Sequence, residues 1–315
     1  MVSTFTRSRE VRGGDILLAE MPLSADVQQA KDRNFRETVG RNMAKLIFLL
    51  PLPLLTTSDA RPEDTFTINN RHSPAFEADS VSVMTANVHG WETAGGNNGF
   101  EEFEEILIKE QPDVVCLQEA IADRPVIEKL VKDGDYNLVF ATTTWQGLNR
   151  QRGNAILSKA SIISNKLITL PHNYTSEPRN AISTSIKTTD GWLRITGTHL
   201  SIDSVESMEQ SKKLNSEMYG DQILCGDFNQ GTNTVNSGPF EAGGGVGGKT
   251  SPRGSRFSSR TPGIPTFPNV FPVRAIDHIF ACSEAVNART VGVGSDHRAL
   301  IAEFDVSKCV LTPES

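Results

Sequence analysis

The sequence predicts an α/β protein in which two packed β-sheets carry helices on their outer faces. After residue 60, short apolar segments alternate with turn residues, and only a few segments have helical periodicity. Polar residues stand where successive apolar segments end. This combination favours two sheets packed on each other with helices outside them.

The predicted elements follow one another in a regular order. Residues 80–88 (SVSVMTANV) form a strand rich in β-branched residues that ends beside Asn87. Residues 99–112 (GFEEFEEILIKEQP) place apolar side chains on one face of a helix that Pro112 ends. Residues 113–119 (DVVCLQE) are an almost continuous apolar run, typical of a buried central strand. The remaining predicted strands are 192–201 (WLRITGTHLS), 224–230 (LCGDFNQ), 276–281 (IDHIFA) and 299–306 (ALIAEFDV).

Length and composition are those of a soluble globular protein. The 315 residues allow one large domain or two small ones, and 37% are hydrophobic and 22% charged. The net charge of -7 argues against nonspecific steering of the whole body towards a polyanion. Residues 231–260 are rich in glycine and serine, and Lys249, Arg253, Arg256 and Arg260 against Glu241 give them a charge of 4 − 1 = +3. We predict a mobile loop there, which either grips a phosphate backbone or is an inert solubilising segment.

The N-terminal region contains the pattern of a secretory signal. Basic residues flank Met43, an apolar run follows at 46–55, and small residues end the segment at Ala60. We therefore predict a translation start at Met43, with 1–42 an over-extended, disordered segment, 43–60 the signal and 61–79 a linker. The protein is then secreted or periplasmic. The alternative is a buried apolar segment of a genuine N-terminal extension, and then a cytoplasmic protein. The apolar run is too short for a stable membrane span.

The four cysteines match neither a disulfide-dense scaffold nor a paired zinc motif. Cys116 and Cys225 lie inside apolar runs, which predicts buried free thiols. Cys282 and Cys309 have more polar neighbours. If the chain is exported, we expect these two to form one disulfide.

Polar side chains at the strand ends form a set suited to metal chemistry. Carboxylate and amide oxygens are the ligands that Mg²⁺, Mn²⁺ and Ca²⁺ prefer, and histidines can transfer protons or contact a phosphoryl group. Each of these residues alone has a simpler interpretation, as a solvated acid, a structural histidine or a polar turn. The set comprises Asn87, Glu119, His199, Asp227 with Asn229, Asp277, and Asp296 with His297.

The order of these motifs resembles that of the exonuclease/endonuclease/phosphatase family, whose members include deoxyribonuclease I. The motifs are TANVHG, DVVCLQE, GNAILS, GTHLS, CGDFN, AIDHIF and GSDH, and they cover residues 80 to about 306. A TFP segment at 266–268 is similar to that of small bacterial members. The resemblance implies a four-layer α/β sandwich, two packed mixed β-sheets flanked by helices, with a metal site at one end. We assign this domain to 80–308, followed by a tail at 309–315.

The resemblance also implies roles for individual residues. Glu119 resembles the principal metal ligand, with Asn87 beside it and Asp296 as a further metal or water contact. Asp227 and Asn229 resemble the pair that positions the attacking water and the phosphate. His297, oriented by Asp277, resembles the histidine of an acid–histidine pair, and His199 resembles a histidine that contacts phosphate. Further substrate contacts are expected from His89, Asn154 and Arg179. The alternative is a structural role for His89 and a solvated surface charge for Arg179.

The activity implied is hydrolysis of a phosphoester by in-line attack of an activated water, with Asp227 and His297 both candidates for the general base. We expect a monomeric Mg²⁺-dependent nuclease or phosphodiesterase, with Mn²⁺ or Ca²⁺ as alternative metals and nucleic acid as the favoured substrate. A second hypothesis is an enzyme of the same fold that acts on phospholipid or inositol phosphate. A third, from a different class, is an inactive binding module.

Overall fold

The computed structural model describes residues 65–307, except for 70–72, 74, 77–78, 147–149, 219–221, 232–256 and 258. The predictions for residues 1–64, for most of the 231–260 loop and for residues 308–315 lie outside the described residues. Within the described part, no helix combines the length and the apolar character needed to cross a lipid bilayer.

The first sheet contains seven strands among the described residues. Its strands β2 and β3 are parallel and its other neighbours are antiparallel. Across the sheet the order is β1 (Thr65–Ile68), β4 (Asn137–Gln146), β5 (Arg150–Ser158), β3 (Val114–Ile121), β2 (Ser80–Asn87), β13 (Arg298–Asp305) and β12 (Ala285–Gly292).

The second sheet contains six strands within the described ranges, and only β8 and β9 pair in parallel there. Across the sheet the order is β10 (Ser259–Arg260), β11 (Asp277–Ala281), β9 (Ile223–Asp227), β8 (Trp192–His199), β7 (Asn180–Lys187) and β6 (Ile162–Thr169). Both sheets are therefore mixed, as the family resemblance implies.

Three α-helices lie among the described residues: α1 (Phe100–Glu110), α2 (Arg124–Glu128) and α3 (Ser204–Glu217). Helix α1 buries Phe100, Phe103 and Leu107, the predicted apolar face, and ends at Gln111 in the left-handed conformation. Helix α3 begins at Asp203, whose carboxylate accepts hydrogen bonds from the first-turn amides of Val205 and Glu206.

Apolar side chains fill three layers because successive strand residues point to opposite faces. In β2, Val83 packs between the sheets with Ile195 of β8. Met84, the next residue, packs on the outer face of the sheet with Phe103 of α1. On the far side, Leu214 of α3 and Leu224 of β9 belong to a third core. The molecule is thus a four-layer α/β sandwich, as predicted.

Strand register brings polar residues that are distant in the sequence to one end of this sandwich. Asp227 ends β9, and its register partners are His199 at the end of β8 and Asp277 at the start of β11. Asn87 ends β2 beside Gln118, next to Glu119 in β3. The two sheets therefore present these polar strand ends side by side.

Two sequence predictions differ from the structure. Residues 65–68 fall inside the predicted 61–79 linker, but they form strand β1, which pairs with β4 at the edge of the first sheet. Phe66 stacks on Phe140 of β4, with 5.4 Å between ring centroids, which explains why this segment joins the sheet.

The prediction that Cys116 and Cys225 are free thiols is wrong, because the two form a disulfide. Both are fully buried, as predicted, but they lie opposite each other in the core between the sheets, with Cα atoms 6.4 Å apart. The bond therefore links β3 of one sheet to β9 of the other. Cys282 is also disulfide-bonded, and Cys309, its predicted partner, lies outside the described residues.

Candidate active site

Asp227 lies at the centre of the polar cluster. Its side chain is only 1% exposed, and its Oδ2 lies 3.5 Å from Nε2 of His199 and 3.8 Å from Nε2 of His297. Asn87 Nδ2 donates to the same Oδ2 at 3.0 Å, and the backbone N–H of Asn229 donates to Oδ1 at 2.8 Å. The carboxylate is thus held in one orientation between two imidazoles.

Burial and then the neighbouring carboxylate of Asp277 raise the pKa of Asp227 to about 7. His297 and the hydrogen bonds from Asn87 and Asn229 oppose this rise without cancelling it. Asp227 can therefore gain or lose a proton near neutral pH.

Asp277 and His297 form a buried acid–imidazole pair, with 2.9 Å between Oδ2 and Nδ1. Burial alone would lower the pKa of His297, but the carboxylates of Asp277 and Asp227 outweigh it and raise that pKa to about 10. The ring of Phe267 lies 4.8 Å from the imidazole, centroid to centroid, and restricts its orientation. At neutral pH His297 is therefore an imidazolium whose Nδ1–H donates to Asp277.

Glu119 reaches this cluster through Asn87, whose Nδ2 donates to Oε1 of Glu119 at 3.2 Å. The φ angle of Glu119 is +58°, and the register between β3 and β5 shifts between Leu117 and Ala120. Such a bulge redirects a side chain at a sheet end, and a positive φ angle is uncommon for a glutamate. The local backbone thus turns Glu119 towards the residues that end the second sheet.

His199 is buried and is contacted by both a guanidinium and an amide. Arg179 Nη1 lies 3.0 Å from Nδ1, and Asn229 Nδ2 lies 3.0 Å from Nε2. Burial first, and then the positive charges of Arg179, His297 and Arg152, lower the pKa of His199 well below its usual value. A guanidinium and an amide nitrogen can only donate, so Arg179 and Asn229 compete as donors to the neutral ring, which accepts at one nitrogen and carries its proton on the other.

The sequence prediction missed two residues of this site, Arg152 and Glu177. Arg152 Nη2 contacts Oε2 of Glu119, and its Nη1 lies 3.2 Å from Oε1 of Glu177. The second oxygen of Glu177 lies 3.2 Å from Nη1 of Arg179. The sequence signal available for Arg152 is its position two residues before Asn154 of the GNAILS motif. In the structure both residues belong to β5, which pairs antiparallel with β3, the strand of Glu119.

Asp296 and His89 form a pair at the rim of the cluster, with 2.9 Å between Oδ1 and Nδ1. His89 is 48% exposed, and its backbone N–H donates to Oδ1 of Asn87. Ser295, a residue that the prediction did not single out, ties this rim to the core, because its hydroxyl donates to the carbonyl oxygen of Asn87 at 2.8 Å.

Asn154 does not join the other predicted site residues. It is 2% exposed, and its Nδ2 donates to the backbone oxygen and Oδ1 of Asn180 at 2.9 and 2.8 Å. Asn180 in turn donates to the carbonyl oxygen of Thr142. Asn154 thus links the two sheets behind Arg179, and its donors are used inside the chain.

Asp227, Asp277 and His297 form a candidate metal site, since one ligand atom from each lies within 4.8 Å of the others, but while His297 is protonated only the two carboxylates can be ligands. Oδ1 of Asp277 is buried and accepts no hydrogen bond from the described residues. Together with the raised pKa of Asp227, this indicates negative charge that the neighbouring residues leave under-compensated. The donor set therefore fits a hard divalent cation, and Glu119 borders it through Asn87.

The fold and the site together define a class of α/β sandwich proteins with acid and histidine residues at the ends of two sheets. Residues 84–299 match the model of the Endonuclease/Exonuclease/phosphatase family, and the chain belongs to that family. A search of curated proteins found no significant match.

Solved structures of the same fold support this assignment. The endonuclease/exonuclease/phosphatase from Beutenbergia cavernae is 18% identical, with a TM-score of 0.56 over 72% of this chain and 71% of that one. ANGEL2, described as a 2′,3′-cyclic phosphatase, is 16% identical, with a TM-score of 0.56 over 72% of this chain and 95% of that one. The human nocturnin catalytic domain, solved with a bound sulfate anion, is 19% identical, with a TM-score of 0.53 over 79% and 99%. At these identities the similarity concerns the fold.

Proposed function

We propose that this chain is a divalent-metal-dependent phosphodiesterase that cleaves nucleic acid by in-line attack of water on phosphorus. The observation that carries the proposal is the position of Asp227. It is a buried carboxylate with a pKa of about 7, held between His199 and the Asp277–His297 pair. A structural carboxylate does not require two imidazoles and a second, partly unbonded carboxylate around it.

The two pKa values separate the roles of Asp227 and His297. His297, with a pKa of about 10, is already protonated at neutral pH and is a poor base. Asp227, with a pKa of about 7, is ionised in part of the population and can accept the proton of the attacking water. The imidazolium of His297 then supplies positive charge and a donor on Nε2 to the phosphoryl oxygens.

The phosphate is held by neutral and cationic donors on the other side of Asp227. The neutral imidazole of His199 and the amide of Asn229 are polar groups that need no change of ionisation. Arg179 contacts Nδ1 of His199 from behind and adds positive charge. These groups orient a phosphoryl group for attack from the side of Asp227.

Glu119 and Asp277, with Asn87 beside Glu119, are the residues that would hold the metal next to the base Asp227. When bound, a divalent cation supplies positive charge that stabilises the developing charge on the phosphoryl and leaving oxygens. The Mg²⁺ expected from the resemblance suits these oxygen donors.

Nucleic acid remains the preferred substrate class. ANGEL2, which shares this fold, is described as a 2′,3′-cyclic phosphatase, and nocturnin bound a sulfate anion. In this chain, Arg152 and Arg179 add two positive charges beside the cluster, which favours a phosphate-bearing substrate although the net charge is -7.

A substrate screen tests the proposal. The purified chain is incubated with DNA, RNA, sphingomyelin or inositol phosphates, in Mg²⁺, Mn²⁺ or Ca²⁺, with a chelator control and with His199→Ala. We expect cleavage of DNA or RNA that the chelator and the substitution abolish. Hydrolysis of sphingomyelin or inositol phosphate alone would reject the nuclease assignment. Binding of a phosphoester without hydrolysis under any condition would favour an inactive binding module.

We also propose that the protein is exported, as a monomer, after translation from Met43. The Cys116–Cys225 disulfide supports export, because disulfides persist mainly in oxidising compartments. N-terminal sequencing of the exported protein tests the start site, and a first residue before Met43 would contradict it.

A further inference from the structure

Two guanidinium groups at the edge of the candidate active site converge on one carboxylate. Arg152 Nη1 lies 3.2 Å from Oε1 of Glu177, and Arg179 Nη1 lies 3.2 Å from Oε2. Each oxygen of Glu177 thus faces a different arginine. This is how two arginines bind the oxygens of a phosphoryl group, since guanidinium N–H groups match both anions.

Both arginines keep a second partner inside the site. Arg152 also contacts Glu119, and Arg179 also contacts Nδ1 of His199. Arg152 belongs to β5, and Arg179 immediately precedes β7. The two guanidiniums therefore retain anchors that do not depend on Glu177.

Glu177 lies in the loop between β6 and β7 rather than in a strand. The loop is fixed on both sides of it, because Ser176 donates to the buried carboxylate of Glu206 at 2.7 Å and the carbonyl oxygen of Arg179 accepts from Leu170. Pro178 restricts the backbone of Glu177 further. The side chain of Glu177 is 32% exposed, so it can turn towards solvent while the backbone stays in place.

We propose that Arg152 and Arg179 form an anion subsite for a phosphoryl group and that Glu177 occupies this subsite as an internal competitor. A phosphoryl group that binds there displaces the carboxylate of Glu177 and takes over its donors. Glu177 is then an affinity-determining residue, which weakens binding of phosphate groups by competing for the same N–H groups and by repelling them. The inference rests on the proposed function for the identity of the anion but does not require hydrolysis.

Binding of inorganic phosphate, measured by isothermal titration calorimetry with Mg²⁺ present, tests the inference. Glu177→Gln keeps the size of the side chain and removes its charge, so we expect it to bind phosphate about fivefold to tenfold more tightly than wild type. The gain should shrink as salt is added. Glu209→Gln is the matched control, because it removes the same charge from an exposed residue of α3 that pairs with Lys212. We expect it to bind phosphate as wild type does.

Arg179→Gln in the Glu177→Gln background should abolish the gain. The inference is overturned if Glu177→Gln binds phosphate no more tightly than Glu209→Gln, or if the gain survives Arg179→Gln. Glu177→Ala provides the same comparison should the glutamine variant fail to fold.

The outcomes for this inference and for the proposed function are separable. Tighter phosphate binding by Glu177→Gln, in a chain that hydrolyses no phosphoester, would keep the inference and reject the enzyme. Hydrolysis of nucleic acid by the chain, with phosphate binding unchanged in Glu177→Gln, would keep the enzyme and reject the inference. With an active enzyme, the inference also requires a lower KM in Glu177→Gln, because the competitor is gone.

Discussion

At the scale of single residues, the site depends on how burial and nearby charges divide protons among a few groups. Asp227, His297 and His199 are all buried, yet their pKa values shift in different directions for different reasons. His297 has two carboxylates as neighbours, whereas His199 has Arg179 against its ring. The same residue type is therefore a cation at His297 and a neutral imidazole at His199.

The raised pKa of His297 makes the stability of the metal-free protein depend on pH. Below the unfolded-state pKa of about 6.5 both states hold the proton, and the contribution of His297 to stability is complete. As pH rises, the unfolded state loses its proton first, so the contribution is lost as pH rises through the folded-state pKa of about 10. We expect urea unfolding to show a fall in unfolding free energy between these pH values. In His297→Gln this fall should be smaller by on the order of 2 kcal/mol.

His172→Gln is the control for that pH series, because His172 lies in the β6–β7 loop, where its Nδ1 contacts the backbone oxygen of Asn173. It should keep the wild-type slope. An unchanged slope in His297→Gln would show that pairing with Asp277 does not raise the pKa of His297.

Asn229 combines a donor with an unusual backbone conformation. Its side chain reaches His199 and donates to the carbonyl oxygen of Leu200 at 3.0 Å, and its φ angle is +54°, which asparagine tolerates better than most residues. We expect Asn229→Ala and Asn229→Gly both to lower kcat on the nucleic acid substrate by about 10²-fold to 10³-fold, because each removes the donor. Steady-state kinetics measures the loss.

The glycine variant separates the two properties of Asn229. Glycine adopts a positive φ without strain, so Asn229→Gly should keep the thermal stability that Asn229→Ala loses. Full activity in Asn229→Gly would mean that the backbone conformation, and not the amide donor, is what the site needs.

At the scale of elements, the ends of strands β8, β9 and β11 must pack closely enough to place Asp227. Gly226 makes this possible, because a Cβ atom there would lie 2.0 Å from the carbonyl oxygen of Thr198 in β8. Its φ angle of +156° also lies outside the usual range for other residues. The glycine before Asp227 is therefore required by the parallel pairing of β8 with β9.

We expect Gly226→Ala to destabilise the protein by about 3 kcal/mol, since the strands must separate to admit the methyl group. Thermal unfolding measures the loss. Gly231→Ala is the matched control, because a Cβ atom at Gly231 would meet nothing within 4 Å. If the two variants had the same melting temperature, the claim that β9 packs too closely on β8 to admit a Cβ atom at Gly226 would be wrong.

At the scale of the whole molecule, a disulfide joins the two sheets behind the site. Cys116 lies three residues before Glu119, and Cys225 lies two residues before Asp227. The bond closes a loop of residues separated by 109 positions in the sequence, so its removal frees a large part of the unfolded chain.

We expect Cys116→Ala/Cys225→Ala to lower the unfolding free energy by about 2–4 kcal/mol, partly through the unfolded state. Denaturant unfolding under nonreducing conditions measures the difference. Treatment with a reductant should destabilise wild type more than the double variant, in which the disulfide of Cys282 is still present. A wild-type chain with two free thiols at these positions, found by mass spectrometry after alkylation, would contradict the assignment.

A divalent metal should also stabilise the whole molecule, because it binds the folded site and not the unfolded chain. At about 100 times its Kd, Mg²⁺ should add about 2.7 kcal/mol, seen as a higher melting temperature. The pKa of Asp227 near 7 means that protons compete with the metal below neutral pH, so the shift should be larger at pH 8 than at pH 6.

Two substitutions locate the metal. Glu119→Gln should abolish most of the Mg²⁺-induced shift if Glu119 is the principal ligand, as the resemblance implies. Asp277→Asn should reduce the shift as well, because its Oδ1 belongs to the buried cluster and accepts no hydrogen bond from the described part of the chain. A full shift in both variants would place the metal elsewhere.

The sequence by itself predicted six of the thirteen described strands, the helix α1 and their order, and it named the polar residues at the strand ends. Apolar periodicity and turn residues are local properties, and a polar residue after a buried strand has to lie at the end of a sheet. The predicted strand at 80–88 and the observed β2 at Ser80–Asn87 agree for this reason. The order of the motifs was enough to indicate the family.

Only the tertiary structure decided which distant residues meet and with what charge. The Cys116–Cys225 bond, the pairing of β1 with β4 and the inward position of Asn154 each depend on the register of strands far apart in the chain. The convergence of Arg152 and Arg179 on Glu177, and the opposite pKa shifts of two histidines, depend further on distances of a few ångströms. Electrostatic and packing free energies vary steeply over such distances, and sequence patterns do not specify them.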